Sequence, residues 1–179
     1  MRKFILASLA ITALPAALAS AQSHDSTTIG GATFDWGAPA PPLSPAQHEF
    51  FQRYKNAINT HDENALLALE EPIRSGCKYD GHQIIFRDFR FSIPENAKVR
   101  FFSTTKDLVK DFGFGDIAYL PVAPTATFGV SFAIASKNHV SSTEILRPIR
   151  QNGDTITLIP YCLTEKGQHL VEEKTQSGK

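Results

Sequence analysis

Two short stretches bring an imidazole and a carboxylate within reach of each other. Asp80-Gly81-His82 sets them two residues apart, and His61-Asp62 sets them side by side. A carboxylate that orients an imidazole can serve general-base chemistry. Each stretch also has a plainer reading, and the plainer one carries more weight. Asp80-Gly81-His82 reads as an exposed turn with a solvated histidine. Asp62 falls where a helix begins and would complement its dipole. A third stretch alternates charge with aromatics: Arg87, Asp88 and Arg90 among Phe86, Phe89 and Phe91. Read as a strand, it puts Asp88 and Arg90 on one solvated face as a pair, with Arg87 and Phe89 on the other. The functional reading of these arginines is capture of a carboxylate ligand. None of the three stretches assigns a catalytic residue.

The aromatic residues Phe51, Tyr54, Phe101, Phe128, Phe132 and Tyr161 are candidates to line an apolar ligand pocket. The competing reading is an ordinary core. Tyr54 and Tyr161 are the sharper candidates, because a buried phenol needs a hydrogen-bonding partner. Cys77 and Cys162 are the two cysteines of the chain. An oxidising compartment favours their pairing, and closing so long a loop stabilises by roughly 4–5 kcal/mol in the chain-entropy model. The alternative is two separate buried thiols. Neither cysteine has the Cys or His neighbours of a zinc site, and no metal or other cofactor is expected. Cleavage after Ala21 would leave Gln22-Ser23-His24, a pattern able to hold Cu(II) or Ni(II) in a square plane. It is common by chance, and Gln22 can cyclise and block the amine.

The N-terminus carries Arg2 and Lys3, an apolar run over residues 4–18, and Ala19-Ser20-Ala21. This is the pattern of a secretory signal peptide, residues 1–21. The run is short for a bilayer span, so the expected protein is exported, periplasmic or secreted, with no membrane span. Of 18 basic and 18 acidic residues, loss of Arg2 and Lys3 leaves 16 against 18, a net charge of −2. That argues against a dedicated nucleic-acid binder, which needs a basic face.

Residues 22–43 are rich in Ser, Thr, Gly, Ala and Pro and read as an N-terminal arm, with Phe34 and Trp36 expected to pin it. One domain is expected over residues 44–164, and then a charged tail over residues 165–179 with a helical turn at 168–173. Ser44, Pro45 and Gln47 form an N-cap, first-turn proline and capping box. Phe50, Phe51, Tyr54, Ala57 and Ile58 make one helical face. Thr60 and Glu63 repeat the box, with Ala65, Leu66, Ala68 and Leu69 as the next stripe and Pro72 as its stop. Strands are expected over 84–91, 98–104 and 125–136, and a helical turn over 106–112. In the strand over 125–136 one face is bulky (Phe128, Val130, Phe132). The opposite face is small (Thr127, Gly129, Ser131) and open to a helix or a ligand. The last hairpin turns about Asn152-Gly153, a type I′ signal that pairs Arg150 with Thr155 and Pro148 with Thr157, with a bulge or slip near Pro160. Helices first and an antiparallel sheet after give an α+β class.

Four stretches resemble the nuclear-transport-factor-2-like, or cystatin-like, superfamily, in particular its exported bacterial members without assigned activity. They are the opening helix with Phe50-Phe51 and Tyr54, the run from Asn59 to Pro72, the strand entry from Tyr119 to Thr125, and the terminal hairpin. The resemblance implies helices packed on a strongly curved, cone-shaped antiparallel sheet with a pocket inside, and a homodimer through the sheet. No catalytic set of its enzymes matches here. The expected function is non-catalytic binding of a small apolar or amphipathic ligand. The alternatives are an isomerase, lyase or hydrolase with a carboxylate or imidazole base, and a protein-interaction module.

Overall fold

The computed structural model describes residues 25–29, 32–35, 39–72, 76–105, 112, 115–136 and 139–177. The signal-peptide segment, the Gln22-Ser23-His24 motif, Trp36, the side chain of Phe34 and most of the turn expected at 106–112 lie outside the described residues. The arm contains a short hairpin, β1 (Ser26–Ile29) with β2 (Ala32–Asp35), in place of a wholly extended chain. Asp25 beside it forms an ion pair with Lys98 at 2.9 Å.

Helix α1 spans Pro45–Thr60, and its start is the capping box expected from the sequence. The Ser44 hydroxyl accepts from the Gln47 amide at 3.2 Å, and the Gln47 side chain accepts from the Ser44 amide at 3.0 Å. Its buried face is Phe50, Phe51, Tyr54, Ala57 and Ile58. The helix ends at His61, which takes a left-handed φ of 55°. Helix α2, Glu63–Leu67, is capped by Asp62 and not by Thr60: the Asp62 carboxylate accepts from the Ala65 amide at 2.9 Å. The Thr60 hydroxyl donates back to the Asn56 carbonyl within α1 and so does not cap α2. Leu66 and Leu69 are buried, whereas Ala68 is exposed.

The expected strand over 84–91 is helical instead. Helix α3 spans His82–Phe86 and runs into a 3₁₀ turn, Arg87–Arg90. Ile84, Ile85 and Asp88 are its buried positions, a helical spacing that outweighs the strand preference of branched and aromatic residues. The main sheet is antiparallel, in the order β4 (Lys98–Phe102), β6 (Ala126–Ser136), β7 (His139–Asn152), β8 (Thr155–Leu158). A second antiparallel sheet is made of three two-residue strands, β3 (Tyr79–Asp80), β9 (Cys162–Leu163) and β5 (Ala118–Tyr119), with β9 in the middle. Helix α4, Glu165–Ser177, is longer than the expected turn.

The small face of β6 is covered at Thr127, Gly129 and Ser131 by neighbouring side chains. A side chain at Gly129 would meet Leu146 at 3.2 Å and Phe102 at 3.3 Å, both reaching over from the flanking strands. Thr127 shares a hydrogen bond with Thr104 at 2.8 Å, and Ser131 donates to Glu144 at 3.1 Å.

The hairpin register differs from the expected one. Asn152 pairs with Thr155 and Arg150 with Thr157, so the two loop residues are Gly153 and Asp154. Gly153 has φ of 59° while Asp154 stays at negative φ. That sign pattern belongs to a type II′ turn, which wants glycine first, and not to I′. The shift places Pro148 opposite Ile159. The Pro148 carbonyl accepts from the Ile159 amide at 3.0 Å, but Pro148 has no N–H to return. The ladder ends at Leu158, before Pro160, with no bulge. The free edge of β8 is taken instead by the end of α2: the Leu158 amide donates to the Leu69 carbonyl and the Glu71 amide to the Leu158 carbonyl, both at 2.8 Å.

Candidate functional site

Five of the six aromatic candidates meet in one layer. Phe128 on β6 is the hub, with ring centroids 5.1 Å from Tyr54, 5.2 Å from Phe101 and 6.5 Å from Phe51. Phe50 joins edge-on at 5.2 Å. Phe132 lies further along β6 against Phe91. These rings pack on each other between α1 and the main sheet and belong to the larger hydrophobic cluster. Tyr161 belongs to the smaller cluster, with Ile84, Phe112, Ala118 and Leu163. Cys77 and Cys162 form a disulfide with Cα atoms 5.1 Å apart, which ties the start of the second sheet to its central strand.

The partner that the Tyr54 phenol needs is Asp88. Its hydroxyl donates to the Asp88 carboxylate at 2.5 Å, and Arg147 on β7 grips the same carboxylate through Nε at 2.7 Å and through a second nitrogen. The Asp88–Arg90 surface pair expected from the sequence does not form. Asp88 is 2 % exposed, while Arg90 lies on the surface over the Phe91 ring, 4.6 Å from its centroid. A 3₁₀ turn does not alternate faces with period two, so Asp88 points in while Arg87 and Arg90 keep contact with solvent. Burial and the negative charge of Asp88 push the Tyr54 phenol well above its ordinary value. Burial pulls Arg147 down, but Asp88 together with Tyr54 and Tyr161 raises it above its ordinary value. Burial likewise pushes Tyr161 up to about 12, against the opposing charge of Arg147.

Arg147 escaped the sequence reading, although a signal exists. It alternates with Ile145 and Ile149 on the inward face of β7, where a cation requires a buried acid. The consequence is positional. Tyr54 and Arg147 together pin the 3₁₀ turn through Asp88 and thereby fix where Arg87, its neighbour, stands.

His82 is not a solvated turn residue. Its Nδ1 lies 2.9 Å from Asp80 and its Nε2 3.3 Å from Glu70, with 16 % of the side chain exposed. Glu70 comes from the end of α2, four residues beyond Leu66 on the buried stripe, which is the cue that marks it. With both ring nitrogens engaged, this imidazole acts as a clamp between α2 and the second sheet. Gly81 is required beside it: a Cβ there would lie 2.4 Å from the Tyr161 carbonyl oxygen. At the other histidine stretch, Asp62 performs its capping role and His61 packs near Phe89.

Between α3 and α4 lies a groove of about 500 Å³. Ile84, Ile117, Leu163, Leu170 and Val171 form its apolar wall, and Arg87 and Lys174 are its ionisable residues. Gly167, Leu170, Val171 and Lys174 are one face of α4. Gly167 brings that helix against the chain before β5, for a Cβ at 167 would sit 2.1 Å from the Ile117 carbonyl oxygen. Outside the groove, Lys78–Glu165 and Lys166–Asp116 anchor the first turn of α4. Hydrogen bonds from these lysines lower both carboxyls below their ordinary range. A larger cleft of about 640 Å³ between α1 and β8 mixes charges of both signs, Glu49, Arg53 and Asp154. A third, of about 370 Å³, lies under the proline-rich end of the arm beside Phe51. Among the described residues no helix is long and apolar enough to cross a membrane, and no group of three His, Cys, Asp or Glu could hold a metal ion.

No protein-family model, no curated protein and no solved structure matches the chain. The α+β architecture and the disulfide therefore stand on the structure itself, and the disulfide fits an exported protein.

Proposed function

We propose that this chain is an exported, non-catalytic binding domain of the nuclear-transport-factor-2-like kind that holds a small amphipathic ligand in the groove between α3 and α4. The observation that carries the reading is the groove's wall: five aliphatic side chains in a concavity of about 500 Å³, within the range of small-molecule sites. The aromatic set between α1 and the sheet supports the reading from the other side. Its rings occupy one another, so the space for a ligand is offered outside the main core. The helices α1 and α2 over the main sheet are consistent with a helix-covered curved sheet of that superfamily.

The test is titration of the purified mature protein with an environment-sensitive apolar fluorophore, alongside the variant Leu170→Glu. Leu170 is 36 % exposed at the groove rim, so a charge there leaves the packing intact. The expected result is saturable binding by the parent protein and at least about a tenfold loss in the variant, since about 1.4 kcal/mol of apolar contact corresponds to that factor. Equal binding by both proteins, with unchanged circular dichroism, disproves the assignment to this groove.

A further inference from the structure

Resting on the groove reading, we infer that the ligand is an anionic single-chain amphiphile, a medium-chain carboxylate, whose head is received by Arg87. The charges of the wall point this way. Among the described residues the two ionisable ones lining the groove are both cations, Arg87 and Lys174, and no described carboxylate lines it. The three charges of the 3₁₀ turn are divided between distinct tasks. Asp88 is consumed by Tyr54 and Arg147, and Arg90 lies over the ring of Phe91. Arg87 lines the groove and has no ion-pair partner among the described residues. A guanidinium offers a planar fork of donors that matches a carboxylate in two parallel hydrogen bonds. Its backbone is held by the buried Asp88, so the fork is presented on a fixed support, and less freedom is lost when a ligand is captured.

The tail of the ligand is set by the helix. The face of α4 that lines the groove runs from Gly167 to Lys174, eight residues and about 10 Å of helix axis. That length suits a medium alkyl chain lying on Ile84, Leu163 and Val171. A long membrane lipid is not matched by so short a trough.

The experiment compares decanoate, decanol and decyltrimethylammonium on the full mature protein by isothermal titration, with Arg87→Gln alongside. The expected result is that decanoate binds at least about tenfold tighter than the other two, as a charge-assisted hydrogen bond of this kind provides. Arg87→Gln brings decanoate down to the affinity of decanol, and added salt narrows the gap in the parent protein. If decanol or the cationic probe binds as tightly as decanoate, the groove still holds an amphiphile and only the anionic inference is overturned. If none of the three binds, the groove reading itself falls. If monomeric decanoate is ignored but vesicles containing anionic phospholipid are bound through Arg87, the surface docks on a membrane and the inference is wrong. A dimer in solution that Leu170→Glu dissociates would show a second copy of the chain in the groove, and would overturn it equally.

Discussion

Tyr54 and Tyr161 are both buried phenols, yet the regions around them are built by different means. Around Tyr54 the elements are long: a helix of 16 residues, and strands of 11 and 14. Dense apolar periodicity closes that layer on itself, and the Asp88–Arg147 pair at its edge is fully engaged. Around Tyr161 the strands have two residues each and α3 has five. Ladders that short do not hold themselves together. A disulfide, a His82 clamp and exposed lysine–carboxylate pairs do it instead. The aromatic layer closes on itself and leaves its clefts at mixed-charge or proline-lined margins, whereas the stapled region frames the aliphatic groove. The groove thus lies where short elements are secured by other bonds.

The contrast can be broken most forcefully in the first region. Asp88→Ala leaves the Arg147 guanidinium buried without its counter-charge, and the expected loss is about 3–5 kcal/mol in urea unfolding. The double replacement Asp88→Leu with Arg147→Met should recover most of that loss, since the cost lies in the orphaned charge. A single-mutant loss below about 1 kcal/mol would mean that the cluster does not hold this layer.

Removal of the staple addresses the second region. Replacing Cys77 and Cys162 by alanine should cost about 2–5 kcal/mol. The sharper readout is hydrogen exchange. The amide of Leu163 on β9 is expected to lose protection well before that of Val130 on β6. Simultaneous loss would show that the two regions unfold as one unit and that the contrast is only geometric.

The weakest effect comes with alkali. The folded state holds the Tyr161 proton up to about 12, whereas an unfolded phenol releases it near 10. Below about pH 10 both states keep the proton, and the contribution is fully present. As pH rises from there through the folded value, the unfolded chain ionises first and stability falls, by on the order of 2–3 kcal/mol. Tyr161→Phe should flatten this slope, read from urea midpoints against pH. An unchanged slope would place the alkaline sensitivity elsewhere.

The legibility of the sequence divides along the same line. Helix α1 and the bulky face of β6 were legible because their cues are local: a cap, a capping box, and spacings of 3.6 and 2. The segment 84–91 misled because its branched and aromatic residues favour a strand locally, while burial of Ile84, Ile85 and Asp88 imposes a helical period. The hairpin misled by one position because Asn-Gly and Gly-Asp turns overlap in the same four residues. The Asp88–Arg147 contact spans 59 residues, and the alternation of Arg147 with Ile145 and Ile149 marks a buried cation without naming its partner. The groove was illegible for a related reason. Its wall is collected from positions 84–87, 117, 163 and 167–174, which nothing but the tertiary fold brings together.

Pro148 has a consequence beyond its own strand. Its missing donor ends the hairpin ladder at Leu158 and turns the chain toward Cys162, where it becomes the middle strand of another sheet. Had that position carried an ordinary amide, the two arms could have gone on zipping, and Tyr161 and Cys162 would have been drawn along the edge of the first sheet. One imino acid thus stands at the point where the chain leaves one sheet and goes on to another.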